Sequence, residues 1–141
     1  MANNFDDIDK LQEKVLEGYS DKLKREFLSP KNVGRLNDSD SWSRVTGLCG
    51  DTVEMYLKVE NDEIKDIGFL TDGCGFTIVC CSYLTREVKG KSLAEAYQVE
   101  PEKIDEYFDG LPEENKHCAN LAVATLRAAI DKYDKIRSLD I

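Results

Sequence analysis

The sequence lacks the features of several large classes of protein. No apolar run approaches the ~18 residues of a membrane-spanning helix, so we expect no membrane span. Positive charge is scarce: 28 acidic residues outweigh 19 Lys and Arg, and the net charge of −9 repels phosphate backbones and anionic lipid surfaces. We therefore expect no nucleic-acid and no membrane partner. The start of the sequence has neither a signal-peptide nor a transit-peptide pattern, which predicts a cytoplasmic protein.

Cysteine pairs of the form Cys-x-x-Cys are also absent, although the chain has five cysteines. Closed zinc sites usually present such pairs, so a structural zinc module is disfavoured. An odd number of cysteines cannot all pair within one chain, and disulfides are rare in the reducing compartment that we expect. Clustered cysteines in that setting more often indicate metal or redox chemistry.

The length and the apolar pattern predict a single α+β domain over residues 1–141, large enough to form its own core. Helical spacing of apolar residues predicts a long amphipathic helix over residues 6 to 28, within an N-terminal region of residues 1–30. The polar stretch 32–41 predicts a mobile surface loop.

The rest of the chain divides into a sheet region, residues 42–70, and a helical part, residues 74–137. Alternation and turn residues predict three short antiparallel strands, at residues 42–48, 52–60 and 64–70. Helical spacing predicts helices at 75–88, 93–97 and 102–108, followed by a long C-terminal helix that starts just after Asn115. A sheet of three strands buries too little by itself, so we expect the helices to cover one face of it.

Three short signatures stand out: Cys49-Gly50-Asp51, Gly73-Cys74-Gly75 and His117-Cys118, which contains the only histidine. The element prediction places Cys49 on the turn between the first two strands, and Cys74 and Cys118 each at a helix N-terminus. Glycine beside a cysteine lets the backbone approach a bulky ligand closely. Thiolate, imidazole and carboxylate groups are common transition-metal ligands. We therefore predict one shared metal site with Cys49, Asp51, Cys74, His117 and Cys118 as its candidate ligands.

The chemistry of each residue type refines this prediction. Helix N-termini stabilise thiolates, so we expect lowered pKa values for Cys74 and Cys118. Asp51 is a hard ligand among soft ones, which weakens a site for iron and sulfur and makes its contents easier to hand over. A lone cysteine is more often a small buried apolar residue, and we keep that interpretation for Cys80 and Cys81.

With these motifs in this order, and with the run Val-Lys-Gly-Lys-Ser-Leu at 88–93, the sequence resembles the U-type iron–sulfur cluster assembly scaffolds over about residues 32–133. These are the IscU proteins and the N-terminal domain of NifU. The resemblance implies a non-enzymatic scaffold that builds a [2Fe–2S] cluster on Cys49, Cys74 and Cys118. It also implies sulfur from a pyridoxal-phosphate cysteine desulfurase, iron from a donor, and release of the cluster to apo-proteins.

The same resemblance assigns the neighbouring residues. Asp51 matches the family aspartate that makes the cluster labile, and His117 matches the family histidine near the site; which of the two is the fourth ligand stays open. Sulfur that arrives as a persulfide needs an exposed receiving thiolate. Cys118, beside Lys116 at a helix start, is the first candidate acceptor, and Cys49 is the second.

Two further features bear on partners and on the alternative function. Residues 111–115 read Leu-Pro-Glu-Glu-Asn where the family has a Leu-Pro-Pro-Val-Lys segment that an Hsp70-type chaperone binds, which argues against that partner. The alternative is a SufU-like zinc-dependent sulfurtransferase, and His117 and the short spacing between the second and third signature cysteines count against it. Zinc suits thiolate and imidazole, so we also expect it in the cluster-free form.

Overall fold

The computed structural model describes residues 18–139, and these residues form the α+β fold that the sequence predicts. Three antiparallel strands lie in the order β1-β2-β3. The strands are β1 Ser41–Thr46, β2 Thr52–Glu60 and β3 Glu63–Thr71. The helices are α1 Asp21–Leu28, α2 Gly75–Val88, α3 Leu93–Tyr97, α4 Pro101–Tyr107 and α5 Lys116–Ser138, and a short 3-10 helix, Glu113–Asn115, precedes α5. Among the helices of this part of the chain, none combines the length and the apolar character of a membrane span.

The sheet follows the alternation of its side chains. Val53, Met55 and Leu57 of β2 are fully buried on one face, because successive side chains of a strand point to opposite sides. Asn61 and Asp62 join β2 to β3 with φ angles of 54° and 61°. Two positive φ values in a two-residue loop give a turn whose twist matches the paired strands, and both residue types tolerate that conformation.

α5 covers the buried face of the sheet. Residues at helical spacing along α5 are buried in the core: Ala119, Ala122, Val123, Leu126 and Ile130. α2 packs against both α5 and α1, and nine of its 14 residues are buried. Cys80 and Cys81 are fully buried within it, which confirms their interpretation as small buried residues of the core.

α1 is shorter than the helix predicted over residues 6 to 28. The described helix begins at Asp21, because Ser20 is its N-cap and accepts a hydrogen bond from the Leu23 amide at 3.2 Å. Gly18, with a φ of 92°, lies outside helical geometry. The prediction of a helix through residues 18–20 is therefore wrong, and its part over residues 6–17 lies outside the described residues.

Residues 32–34 pair with the sheet, in contrast to the surface loop predicted for residues 32–41. The Gly34 amide donates to the Phe69 carbonyl at 2.8 Å, and the Phe69 amide donates to the Asn32 carbonyl at 2.9 Å. The chain then passes so close to Gly68 that a Cβ at that position would collide with the Gly34 carbonyl. A glycine on β3 therefore lets this segment cross the face of the sheet opposite α5.

Replacement of Cys80 and Cys81 together by Ala should lower stability without changing the metal site. Each substitution removes a buried sulfur at a cost of about 1 kcal/mol, so the pair should lower the melting temperature by roughly 6 °C. Circular dichroism melting measures this, with Cys49→Ala as the matched control, since Cys49 is exposed and should melt like the parent. Loss of metal or cluster content at an unchanged melting temperature would instead place these cysteines in the site.

Candidate metal–sulfur site

The first part of the site is the turn between β1 and β2. The Gly47 amide donates to the Asp51 carbonyl at 2.8 Å, and the Gly50 amide donates back to the Gly47 carbonyl at 3.0 Å. Gly50 has a φ of 90°, in the left-handed region that glycine adopts without a steric cost. The turn therefore projects Leu48 and Cys49 into solvent, where both are exposed.

The second part is the strand-to-helix connection at the start of α2, where Cys74 is the N-cap residue. The Gly73 amide donates to Thr71 Oγ1 at 2.9 Å, which fixes the chain just before the helix. A Cβ on Gly73 would lie 2.9 Å from Thr77 Cβ and 3.0 Å from Asp51 Oδ2. Glycine at this position therefore lets the first turn of α2 approach the carboxylate of the other turn.

The third part is the first turn of α5, which contains His117 and Cys118. Asn115 occupies the predicted N-cap position, but its side chain caps no amide within the described helix. Lys116 forms an ion pair with Glu113 at 3.2 Å. Cys118 is fully buried, with its sulfur 3.7 Å from His117 Nε2, while His117 itself is exposed.

These three distant segments meet at one end of the sheet. One ligand atom from each of Cys49, Asp51 and His117 lies within 4.8 Å of the other two. Cys118 joins this group through its contact with the imidazole. Cys74 lies beside it, although its sulfur falls outside the group of three that lies within 4.8 Å. The structure therefore brings the five predicted residues into one neighbourhood, with three of them already at metal-ligand spacing.

Thr77 is a site residue that the sequence analysis missed. It is fully buried, and its Oγ1 lies 3.3 Å from Asp51 Oδ2, 3.3 Å from Cys118 Sγ and 3.8 Å from Cys74 Sγ. A threonine in a helix is not predicted as a site residue, because its neutral hydroxyl is not among the common transition-metal ligands. Its spacing from Cys74 was the available signal, since residues i and i+3 share one face of a helix.

The electrostatics of Cys118 differ from the sequence prediction. Burial raises the pKa of the Cys118 thiol to about 11, and the hydrogen bond from Thr77 opposes this only in part. The nearby Cys74 and Asp51 contribute to this raised pKa, because they disfavour a further negative charge. The prediction that the helix N-terminus lowers the pKa of Cys118 is therefore wrong, since desolvation outweighs the helix dipole at a fully buried sulfur.

The donor set fits a metal bound through sulfur. Thiolates suit iron, zinc and copper(I), imidazole suits iron and zinc, and a carboxylate adds a harder ligand. The exposed thiols and the buried one give the site an accessible rim around a closed floor. Together, the fold and the site define a class of protein in which a turn and two helix N-termini bring thiol, imidazole and carboxylate donors to one partly open point.

Comparison with known proteins assigns the family. The family model described as the NifU-like N terminal domain matches residues 18–140. The iron–sulfur cluster assembly scaffold protein IscU 1 of Archaeoglobus fulgidus is 39% identical over 131 residues, which cover 87% of this chain and 86% of that protein. IscU of Aquifex aeolicus is 41% identical over 118 residues, which cover 82% of this chain and 75% of that protein. The chain belongs to the U-type iron–sulfur cluster assembly scaffold family.

A solved structure agrees with this fold. FiSufU of the thermophile Fervidobacterium islandicum superposes with a TM-score of 0.67 over 79% of this chain and 96% of that chain. The two sequences are 20% identical, so this likeness shows the shared fold.

Thiol alkylation should follow the burial of the five cysteines. With a pKa of about 11, about one Cys118 thiol in a thousand is ionised at pH 8, and burial also raises the pKa of Cys80 and Cys81. Iodoacetamide at pH 8 should therefore label Cys49 and Cys74 first, because both are exposed. Labelling of Cys118 should increase about tenfold for each pH unit between pH 8 and 10, as its thiolate fraction rises.

Peptide mass spectrometry after timed quenching measures these rates, and the denatured chain, in which all five thiols are accessible, is the control. Equal labelling rates for Cys118 and Cys49 in the native protein at pH 8 would contradict this order.

Proposed function

We propose that this protein is a scaffold on which a labile [2Fe–2S] cluster is built and from which it passes to apo-proteins. Membership of the U-type family supports its place in iron–sulfur cluster assembly. The observation that carries the proposal is the meeting of three cysteines, Asp51 and His117 from three distant segments at one partly open point.

Retention and release of a cluster follow from the burial of the ligands. Cys118 at the floor holds iron away from solvent, while Cys49 and Cys74 at the rim remain within reach of a partner's thiols. A recipient can therefore displace the rim ligands one at a time by thiol exchange. Such stepwise displacement needs no catalytic turnover by the scaffold, which is why we propose a non-enzymatic protein.

Asp51 favours release in this scheme. Its carboxylate is a hard ligand and binds thiolate-ligated iron less tightly than a fourth cysteine would. The side chain is half-buried on the turn, so water and an incoming thiol can reach the iron at this position. We therefore propose Asp51 as the exchangeable ligand, with His117 beside it as the alternative ligand.

Sulfur entry is better explained by Cys49 than by Cys118. In persulfide transfer, the receiving thiolate attacks the outer sulfur of the donor persulfide, and the donor thiolate leaves. Cys118 is buried and holds its proton up to about pH 11, whereas Cys49 projects from an exposed turn. We propose that a cysteine desulfurase delivers sulfur first to Cys49, in reversal of the order that the sequence suggested, and that iron comes from a separate donor.

A second candidate function is zinc-dependent sulfur transfer. The sulfur, oxygen and nitrogen donors of Cys49, Asp51 and His117 lie within 4.8 Å, a spacing that a tetrahedral Zn²⁺ can also bridge. We propose that zinc occupies these residues in the cluster-free form. Zinc in the isolated protein therefore fits both candidates, and cluster formation separates them.

Anaerobic reconstitution with iron and sulfide tests the scaffold function. The parent should develop the visible absorption of a [2Fe–2S] cluster, and replacement of Cys49, Cys74 or Cys118 by Ser should weaken or abolish it, because a hydroxyl is a poor substitute for a soft thiolate. The matched control is the Cys80→Ala/Cys81→Ala double variant, which should keep full cluster stoichiometry. Unchanged cluster content in two of the three single variants would contradict the ligand assignment, and absence of any cluster would favour zinc-dependent sulfur transfer.

Persulfide mapping tests the sulfur entry point. After incubation with a cysteine desulfurase and cysteine, mass spectrometry should find the added sulfur on Cys49, and Cys49→Ser should remove most of the label. Cys118→Ser should keep the label, since that sulfur is buried. The reverse pattern, in which only Cys118→Ser loses the label, would restore Cys118 as the acceptor.

A further inference from the structure

A buried hydroxyl lies between three of the candidate ligands, Asp51, Cys74 and Cys118, without being one of them. Thr77 Oγ1 is within 3.3 Å of both Asp51 Oδ2 and Cys118 Sγ, although these residues come from different segments of the chain. Thr77 is fully buried on the first turn of α2. Its position is therefore set by the helix and the core, while Asp51 lies on a solvent-exposed turn.

The hydroxyl has one proton to donate, and the two acceptors are unequal. An ionised carboxylate forms a hydrogen bond roughly twice as strong as a neutral acceptor does, whereas a thiol sulfur is a weak acceptor. The proton of Thr77 is therefore directed to Asp51. Cys118 Sγ, at the same 3.3 Å from Thr77 Oγ1, is the weaker of the two acceptors.

Asp51 needs such an anchor because little else fixes its side chain. Its backbone closes the β1–β2 turn through the Gly47 amide, and Gly50 next to it has a φ of 90°. The absence of a Cβ on Gly73 leaves room for the carboxylate, but open space alone does not hold a side chain in one rotamer. Among the described residues 18–139, Thr77 is the residue that donates a hydrogen bond to the Asp51 carboxylate.

We propose that Thr77 is a positioning residue, whose hydroxyl holds the Asp51 carboxylate beside Cys49 and His117 so that it can bind a metal. Without the hydroxyl, the carboxylate rotates toward water, and the site loses its hard ligand while keeping its thiols. Groups that orient a metal ligand in this way contribute substantially to affinity without touching the metal.

The proposal has a consequence for release of the cargo, and this part rests on the proposed scaffold function. If Asp51 is the exchangeable ligand of a cluster, removal of the Thr77 hydroxyl should have the same effect as removal of the carboxylate. Both Thr77→Val and Asp51→Ala should then lengthen the lifetime of the cluster and slow its transfer.

A double-mutant cycle with Co²⁺ tests the positioning itself and needs no cluster. Co²⁺ is titrated anaerobically into the reduced, metal-free full chain, and the thiolate-to-cobalt absorption bands give the dissociation constant. Thr77→Val, which keeps the shape of the side chain, should weaken binding about tenfold. Thr77→Ser, which keeps the hydroxyl, should restore the affinity of the parent. In the Asp51→Ala background, Thr77→Val should have no further effect, because the group that it positions is already absent.

Melting temperatures of all variants separate this effect from loss of folding. Thr77→Ala, measured in the same two backgrounds, takes the place of Thr77→Val if the valine variant does not fold. An equal loss of Co²⁺ affinity in the parent and in Asp51→Ala would overturn the proposal, as would unchanged affinity in Thr77→Val. If the cycle shows that Thr77 acts through Asp51 but the protein forms no cluster, the scaffold function is rejected while the positioning role of Thr77 is retained.

Discussion

The packing of α5 across the sheet is the interaction on which the rest of this structure depends. Two serines of β1 lie beneath the helix and donate their hydroxyl protons to its carbonyls, Ser41 to Ala129 at 2.8 Å and Ser43 to Thr125 at 2.6 Å. These bonds satisfy buried polar groups and, unlike apolar contacts, are directional. They therefore fix where α5 lies along the strand. That register in turn brings the first turn of α5 to the turn between β1 and β2, where the candidate ligands meet.

The other end of the described chain acts on the site through α2. Glu26 of α1 is buried and accepts hydrogen bonds from Ser82 and, at 2.6 Å, from Arg86, both on α2. Loss of either partner would leave the buried Glu26 carboxylate without the hydrogen bonds that offset its desolvation. These bonds therefore favour one docking position of α1 on α2. In that position Phe27 lies against Gly75, where a Cβ would collide with its ring. A helix without any candidate ligand thus helps to place the N-cap cysteine of α2.

The predictable features of this protein are those set by neighbouring residues. The strand at residues 52–60 and the bounds of α2 follow from local preferences, and the structure has them as predicted. The placement of the three signatures at ends of elements also followed, because glycines mark the turn and the start of α2. The helix break at Ser20 was missed because the apolar spacing continues through it, while its capping bond to the Leu23 amide is invisible to periodicity. The pairing of residues 32–34 with β3 is a tertiary contact that a polar sequence does not reveal.

Burial decides the remaining differences at the site, and burial is a property of the assembled fold. The sequence places Cys74 and Cys118 in equivalent positions, one at each helix start, yet one sulfur is exposed and the other lies in the core. The first turn of α5 is already packed against the core, so Cys118 is shielded from the water that would stabilise its thiolate. The thiols of the site therefore differ in their access to solvent. A reagent that approaches from solvent reaches the exposed thiols of Cys49 and Cys74 before the buried thiol of Cys118. A metal that bound Cys118 would have to displace the proton that burial holds on this thiol, because a thiol binds metal in its deprotonated form.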